Sequence, residues 1–452
     1  MSKIHKAALL LLLTFSSAFA HEEHKNQHHW EIPSKDPDRI ILTFLGDPAT
    51  SRAVTWRTDN TVPQAVAQIA VAGVNSEFAE KALTVEAQLE PFDLGMDKKN
   101  APLTVHYHSV NFENLQPDTL YAYRVGSGKN DFSEWLHFRT AKKGYAPTQF
   151  VYFGDAQNNI LSHWSRLIRM AYQTAPNATF AIHAGDLVDQ AHRDQEWAEW
   201  FKAGGFIHRQ WTSVPAAGNH EYKPLGDAGR KLSIQWRPQF TLPVEKDLPE
   251  ELHETAYTID YQDIRIIVLD SNSKQGDQRD YLERQLKNCT AKWKIVTCHH
   301  SIFSPVAKRD FKYGREHWKP LLDQYGVDLV LNGHDHSYAR DTVLRKDSKG
   351  TQPTKSPTIM PNLVAGLFFI NEIKGFIPAA DITQSISHGH TAELNGKQMG
   401  FRVGGRQLWD KAELGVPVIV GNGEGCPLPF LGNQCEAMVV QSFLHTQGRS
   451  IQ

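Results

Sequence analysis

Two histidines two positions apart, His334 and His336, stand in the block Gly333-His334-Asp335-His336, directly after the apolar run from Val327 to Leu331. Imidazole is a common metal ligand and a proton carrier near neutral pH, and a pair at the tip of a buried strand can aim both rings into one cleft, each at a different ion. Alone, the pattern reads first as two surface residues. Four more apolar runs end in the same kind of polar tip. Gln149 to Phe153 leads into Gly154-Asp155-Ala156-Gln157, and Thr179 to Ala184 into Gly185-Asp186-Leu187-Val188-Asp189. Trp211 to Ala217 leads into Gly218-Asn219-His220-Glu221, and Trp293 to Cys298 into His299-His300. In open α/β sheets ligands gather beyond the carboxyl ends of the strands, so these tips are expected to converge. Carboxylate, amide and imidazole suit hard or borderline divalent ions.

The five blocks GDAQ, GDLVD, GNHE, VTCH and GHDH, in that order, resemble those of the calcineurin-like metallophosphoesterases, and within them the purple acid phosphatases that carry an N-terminal fibronectin-like domain. One block is a weak signal; five in order are specific, and the resemblance runs from Arg39 to Arg340. It implies that Asp186 bridges two metal ions, since cations roughly 3.5–4 Å apart need anionic oxygen between them. Asp155 and His336 would complete the first site, and Asn219, His299 and His334 the second. His220 would stand over the substrate phosphate, stabilising its oxygens or protonating the leaving group. Each residue also has a plain reading. Asp155 and Asp186 could cap helices, Asn219 and His220 could form a turn, His299 could be a core histidine and His300 a surface one.

Two departures from the purple subgroup matter. Its iron-binding tyrosine is replaced by Asp189, so no charge-transfer colour is expected. The GDLVD block instead resembles that of protein serine/threonine phosphatases, where the second Asp holds the catalytic histidine; on that likeness Asp189 favours protonated His220. A first-turn helix position for Asp189 stays open. Gln157 stands where most of the family has His, and its neutral amide is a weaker ligand, which leaves Fe, Zn, Mn and Mg all open as the ions. Paired metals would acidify a water for in-line attack on phosphorus, with no covalent phosphoenzyme. Lys308, Arg309, Lys312 and Arg315 form a basic cluster after His299, where the purple subgroup places phosphate contacts, with Lys308 and Arg309 the leading candidates. Tyr222 and His300 are further candidates for the pocket.

The elements that must position these residues fall into two textures. From Arg39 to about Thr140 short runs alternate apolar and polar, as in Ile40 to Leu45, Ala53 to Arg57 and Val105 to Val110, the pattern of a β-sandwich. Leu115 to Tyr121 resembles the L-x-P-x-T-x-Y signature of fibronectin type III domains, with Tyr121 at a corner and Trp56 in the core. Lys142 to Pro147 reads as a linker. From about Thr148 strands alternate with helical stretches at Ser162–Gln173, Gln190–Phe201 and Arg279–Asn288. The expected architecture is therefore an α/β catalytic domain over 148–345, two mixed sheets flanked by helices as in the family, preceded by an all-β fibronectin-like sandwich over 39–141.

The ends carry other signals. Lys3 and Lys6, an apolar stretch from Ala7 to Phe15 and Ala18-Phe19-Ala20 form a secretory signal over 1–20, which predicts a secreted or periplasmic protein with no integral membrane segment after its removal. Residues 21–38 read as a polar, histidine-rich terminus that is solvated rather than metal-holding. With 48 basic and 50 acidic residues, nucleic acid or an anionic membrane is not the expected partner; a small phosphorylated substrate is. Of four cysteines, Cys426 and Cys435 are close enough in sequence to pair, and Cys298 is expected beside the metal site. Residues 346–452 are a C-terminal extension without sustained period up to Leu414. It reads as a cover for the site or as an altered segment, with Gly415–Gly425 as a strand and turn completing the catalytic sheet. The expected activity is exported, binuclear-metal phosphomonoester hydrolysis; a phosphodiesterase or nucleotide hydrolase on the same core, and a non-catalytic surface-binding protein, are the alternatives.

Overall fold

The structure is a computed structural model. It describes residues 28–96, 102–128, 131–224, 229–304, 306 and 308–336, with the backbone of strands at 339–343, 358–362, 365–370, 391–394, 397–400 and 438–439. The expected signal at Met1–Ala20, residues 21–27 of the histidine-rich terminus, Cys426 with Cys435, and Gly415–Gly425 lie outside the described residues.

The N-terminal part is a sandwich. Strands β1 (Asp38–Thr43), β2 (Arg52–Asp59), β3 (Val66–Val71), β4 (Leu83–Glu86), β5 (Gln88–Met96), β6 (Pro102–Phe112), β7 (Leu120–Gly126) and β8 (Leu136–Arg139) form two antiparallel layers, β1-β2-β6-β5 and β4-β3-β7-β8. Alternation sends Trp56, Ile69, Val110, Tyr123 and Phe138 into the core between them. Tyr121 accepts the Gln116 backbone N–H at 2.8 Å, tying its strand to the chain five residues upstream.

Strands β9 (Thr148–Phe153), β10 (Phe180–His183) and β11 (Thr212–Pro215) follow, with α1 (Trp164–Thr174) and α2 (Asp194–Gly204) between them. Then come the single turn α3 (Trp236–Gln239), β12 (Tyr257–Tyr261), β13 (Ile264–Val268), α4 (Gln275–Lys287), β14 (Trp293–Thr297), α5 (Lys319–Gln324) and β15 (Leu329–Leu331). β9-β10-β11 are parallel, and so are β13-β14-β15, with β12 antiparallel on the edge. One core cluster holds the first sheet, α1, α2 and the inward residues Ile266, Val268, Ile295 and Leu331 of the second. Their neighbours Ile267, Val296 and Val330 face the other way, onto α4 and α5. Sheets buried on both faces explain why these strands read as continuous apolar runs.

The sequence reading places a boundary between sandwich and catalytic part, yet the sheet runs through it. β1 pairs in parallel with β11 at Thr43 and Ser213, making one sheet of sandwich and α/β strands. Arg57, fully buried, bonds Asp38 at 2.6 and 2.8 Å and Asp194 of α2 at 3.1 Å; Arg39 pairs with Asp194 at 2.8 Å. Buried guanidiniums demand such partners. After β15, strands β16 (Ala339–Val343), β17 (Thr358–Asn362) and β18 (Ala365–Ile370) carry the chain back, β17 alongside β15 and β18 antiparallel to β9. The stretch read as lacking any period thus supplies an inner strand to each sheet, β17 between β15 and β16 and β18 next to β9.

Candidate metal centre

All the polar tips lie beyond the carboxyl ends of the two parallel sheets. Asp155 follows β9, Asp186 follows β10, Asn219 and His220 follow β11, His299 follows β14, and His334 and His336 follow β15. Neither Asp155 nor Asp186 caps a helix, because α1 starts after His163 and α2 after Arg193, and Asp189 lies before α2 in a loop. Ligand-type atoms of Asp155, Asp186 and His336 lie within 4.8 Å of one another, as do those of Asp186, His299 and His334. Asp186 belongs to both groups.

Hydrogen bonds aim these atoms. His299 Nδ1 donates to the Ala184 carbonyl at 2.9 Å, so its Nε2 faces inward, 3.1 Å from Asp186 Oδ2, 3.0 Å from Asn219 Oδ1 and 3.2 Å from His334 Nδ1. Four electron-rich atoms that close together need a cation among them. With only a proton to serve, burial opposes charge but the Asp186 carboxylate prevails and pushes His299 up to about 10. Asp186 is likewise held below the usual carboxylate range against its burial, chiefly by His299. In the first group, Asp155 Oδ2 accepts the His334 backbone N–H at 2.7 Å, while Oδ1 is buried without a hydrogen bond, 3.4 Å from His336 Nε2. Gln157 Nε2 lies 2.8 Å from His336 Nε2 and leaves Oε1 buried and unbonded; turning the amide over presents the oxygen instead. Orphaned, inward-facing oxygens and a shared carboxylate are the donor set that fits two metal ions.

The backbone is strained here. Asp155, Asp186, His334 and His336 have φ of 50°, 51°, 76° and 49°, left-handed conformations that cost about 1–2 kcal/mol each for residues with a Cβ. Three of the glycines before tip ligands, Gly185, Gly218 and Gly333, have a steric reason. A Cβ on Gly218 would fall 2.2 Å from Asp186 Oδ1, on Gly333 2.6 Å from Asp155 Oδ2, and on Gly185 2.6 Å from His299 Nδ1. The strand tips approach until only hydrogen fits between them.

His220 donates its backbone N–H to Asp186 Oδ1 at 2.7 Å, and its Nδ1 lies 2.8 Å from both the carboxylate and the carbonyl of Asp189. Its Nε2 is 3.7 Å from Asp186 Oδ2, on the side of the shared carboxylate. Of the basic cluster, Arg309 comes within 4.0 Å of Asp335, whereas Lys308 is exposed, Lys312 pairs with Glu316 and Arg315 pairs with Asp310. The structure therefore does not bring the four together at the site. Tyr222 is buried with its hydroxyl donating to Asp270. His300 is half-buried, its ring centroid 4.5 Å from that of His334 and its Nδ1 2.8 Å from Ser271 Oγ. Cys298 is buried beside Asn332, and burial pushes its thiol up to about 12, which leaves it inert.

Two supports carried no role in the sequence reading. Glu221, fully buried, accepts the backbone N–H groups of Asp186, Leu187 and Gly218 at 2.9, 3.0 and 2.7 Å, lashing the β10 and β11 tips together. Burial and then Asp186 push its carboxyl up to about 8 against those donors. Asp270 and Asn272, beyond β13, bond Tyr222 and the Ala217 carbonyl. The polar triplet Asp270-Ser271-Asn272 after the apolar run Ile264 to Leu269 was the available signal, a sixth tip matching the other five.

Comparisons with known proteins agree with this geometry. Residues 37–140 match the family described as purple acid phosphatase, N-terminal domain, and residues 148–338 match calcineurin-like phosphoesterase. An uncharacterized protein of Mycobacterium tuberculosis is 28% identical over 355 residues, covering 68% of this chain and 62% of its own. Fe(3+)-Zn(2+) purple acid phosphatase 12 of Arabidopsis thaliana is 26% identical over 257 residues, 52% of each chain. The chain thus spans between about half and two thirds of the length of these relatives. The structure of purple acid phosphatase PPD1 from yellow lupin seeds superposes with a TM-score of 0.60 at 19% identity, over 74% of this chain and 65% of the other, a likeness of fold.

Proposed function

We propose that this chain, which belongs to the calcineurin-like metallophosphoesterases and is purple-acid-phosphatase-like among them, hydrolyses phosphomonoesters at the centre built around Asp186. The observation that carries the reading is the shared carboxylate, a member of two three-residue ligand groups at once. Asp155 and His336, with Gln157 as a weak third donor, would hold one ion; Asn219, His299 and His334 would hold the other. Bound there, the ions supply Lewis acidity toward phosphoryl oxygens and a water acidified to near neutrality.

The chain's own groups do the rest. Asp186 accepts the His220 N–H, which fixes the imidazole beside the centre. Asp189 takes Nδ1–H, so His220 turns its Nε2 toward the side where the phosphoryl or leaving oxygen would lie. Lys223 at 3.9 Å and the Gln190 amide at 2.9 Å hold Asp189 in turn. Because Asp189 is spent on His220, no tyrosinate-like ligand serves the first group. Fe, Zn, Mn and Mg all remain compatible with its oxygen and nitrogen donors. The basic, apolar and small-residue sequence of Met1–Ala20 supports export to the periplasm or beyond.

The test is hydrolysis of p-nitrophenyl phosphate beside bis-p-nitrophenyl phosphate by metal-stripped protein titrated with Mn²⁺, Zn²⁺, Fe and Mg²⁺. Monoester turnover is expected to return with metal, to vanish in Asp186→Asn, and to fall roughly 10²-fold in kcat in Asp189→Asn with metal content unchanged. Faster diester turnover would replace the substrate class, and no turnover by folded, metal-loaded protein would overturn the reading.

A further inference from the structure

Between Asn219 and α3 the chain folds into a hairpin whose two arms are pinned beside the β11 tip. Ser233 N–H reaches the Glu221 carbonyl at 2.8 Å, Pro224 and Arg230 form an isolated antiparallel bridge, and Ser233 Oγ donates to the Ala191 carbonyl at 2.5 Å. His192 Nε2, 3.0 Å from the Lys223 carbonyl, anchors the first arm again.

Arg230 stands on the second arm. Its Nη2 donates at 2.9 Å to the carbonyl of Asn219, the residue whose Oδ1 faces His299 Nε2 at 3.0 Å. The peptide unit joining Asn219 to His220 is thus used on both sides. Its N–H donates to Asp186 Oδ1 at 2.7 Å, and its C=O accepts Arg230. In a trans peptide these two groups point in opposite directions, so the guanidinium lies one peptide width out from the shared carboxylate.

The guanidinium is exposed and forms no ion pair among the described residues; one of its five N–H donors serves the protein. The acid near this hairpin, Asp189, is already taken by His220 at 2.8 Å and Lys223 at 3.9 Å. Water would satisfy an exposed carbonyl as well as Arg230 does. What the side chain adds is a fixed, unpaired positive fork at the edge of the centre.

We propose that Arg230 recognises a second anionic group, a phosphate or carboxylate carried by the leaving part of the substrate, and so directs the centre to phosphoesters that bear one. The inference rests on the phosphatase reading above and names the substrate class within it. The reacting phosphoryl group belongs to the ligand groups and His220; Arg230, one peptide width further out, meets what is attached to it. Its free N–H donors suit two oxygens of either anion.

Four aryl esters separate charge from size: phenyl phosphate, para-carbamoylphenyl phosphate, para-carboxyphenyl phosphate and para-phenylene bisphosphate. Measured are kcat and KM for metal-loaded wild type, Arg230→Ala, Arg230→Lys and Arg230→Glu, with metal per chain and melting temperature alongside. Wild type is expected to favour the carboxylate ester and the bisphosphate, counted per phosphate, over the carbamoyl ester by about 5-fold or more in kcat/KM, through KM. Arg230→Ala should bring that ratio to within about 2-fold of one. Arg230→Lys should keep part of it because the charge remains, and Arg230→Glu should invert it. Salt at about 1 M should shrink the wild-type ratio, since the contact is exposed. A gain confined to one of the two anionic esters identifies that anion and upholds the proposal. The proposal is overturned if active wild type shows no such preference, if the preference survives Arg230→Ala, or if Arg230→Ala lowers all four esters equally, with loss of metal or of melting temperature, as a merely structural cap would. In each of those cases turnover of phenyl phosphate by wild type keeps the phosphatase reading; a folded, metal-loaded wild type inactive on all four sinks both.

Discussion

At the residue scale, the centre is a set of groups whose charges are balanced only when a cation sits among them. In metal-free protein His299 takes that role by holding a proton, its folded pKa raised from 6.5 to about 10. A raised histidine pKa adds stability that is complete below the unfolded value and is lost as pH rises toward the folded one. Asp186 works the other way: its lowered pKa adds stability present above about 3.8, lost only in stronger acid. Glu221, raised to about 8, is disfavoured as a buried anion as pH climbs past 4.5. All three place the best stability of the stripped protein in mild acid. Its melting temperature is expected to fall by roughly 5 °C or more from pH 6 to pH 9, and saturating metal, which replaces the His299 proton, should flatten that slope. A stripped protein that grows more stable over this range would contradict the His299 assignment. Asp155, Asp186, Asn219, His299, His334 and His336 were legible in the sequence because each follows an apolar run, and residue type plus position at a strand end carries most of what a ligand needs. Glu221 was not, since its work is done on backbone N–H groups, which no side-chain motif records.

At the element scale, six strand tips converge, and their glycines set how closely. Gly218 is the tightest of those at the metal ligands, its missing Cβ lying 2.2 Å from Asp186 Oδ1 and 2.3 Å from Asp186 N. Gly218→Ala is therefore expected to displace Asp186 rather than merely stiffen a turn. The predicted outcome is a loss of about 2 kcal/mol or more of folding stability, read by urea unfolding, together with weakened metal binding. Unchanged metal affinity would mean that the tips have slack the geometry does not show. The helices were legible from periodicity to within a few residues, because α1, α2 and α4 each bury one face against a sheet. Strands β17 and β18 were missed. They lie inside their sheets, β17 between β15 and β16 and β18 next to β9, and read as one low-charge stretch without the polar tips that marked the others.

At the scale of the whole molecule, the sandwich and the α/β part share one sheet and buried charge. Arg57 lies on a sandwich strand, yet Asp194 at the start of α2 is one of its partners, and Tyr123 of the sandwich donates its hydroxyl to the Arg209 carbonyl, three residues before β11. The sandwich is thus a foundation for the β11 tip that carries Asn219 and His220. That continuity was invisible in the sequence because a parallel β1–β11 pairing leaves no local pattern, only two apolar strands about 170 residues apart. All of this architecture serves a single claim, that one carboxylate joins two metal sites. Metal bound per chain, counted by elemental analysis and calorimetry on the full chain, tests it most directly. Wild type is expected to bind two ions, Asp155→Asn and Asn219→Ala one each, and Asp186→Asn fewer than one. Two ions retained by Asp186→Asn, or a single ion in the wild type at saturation, would contradict it.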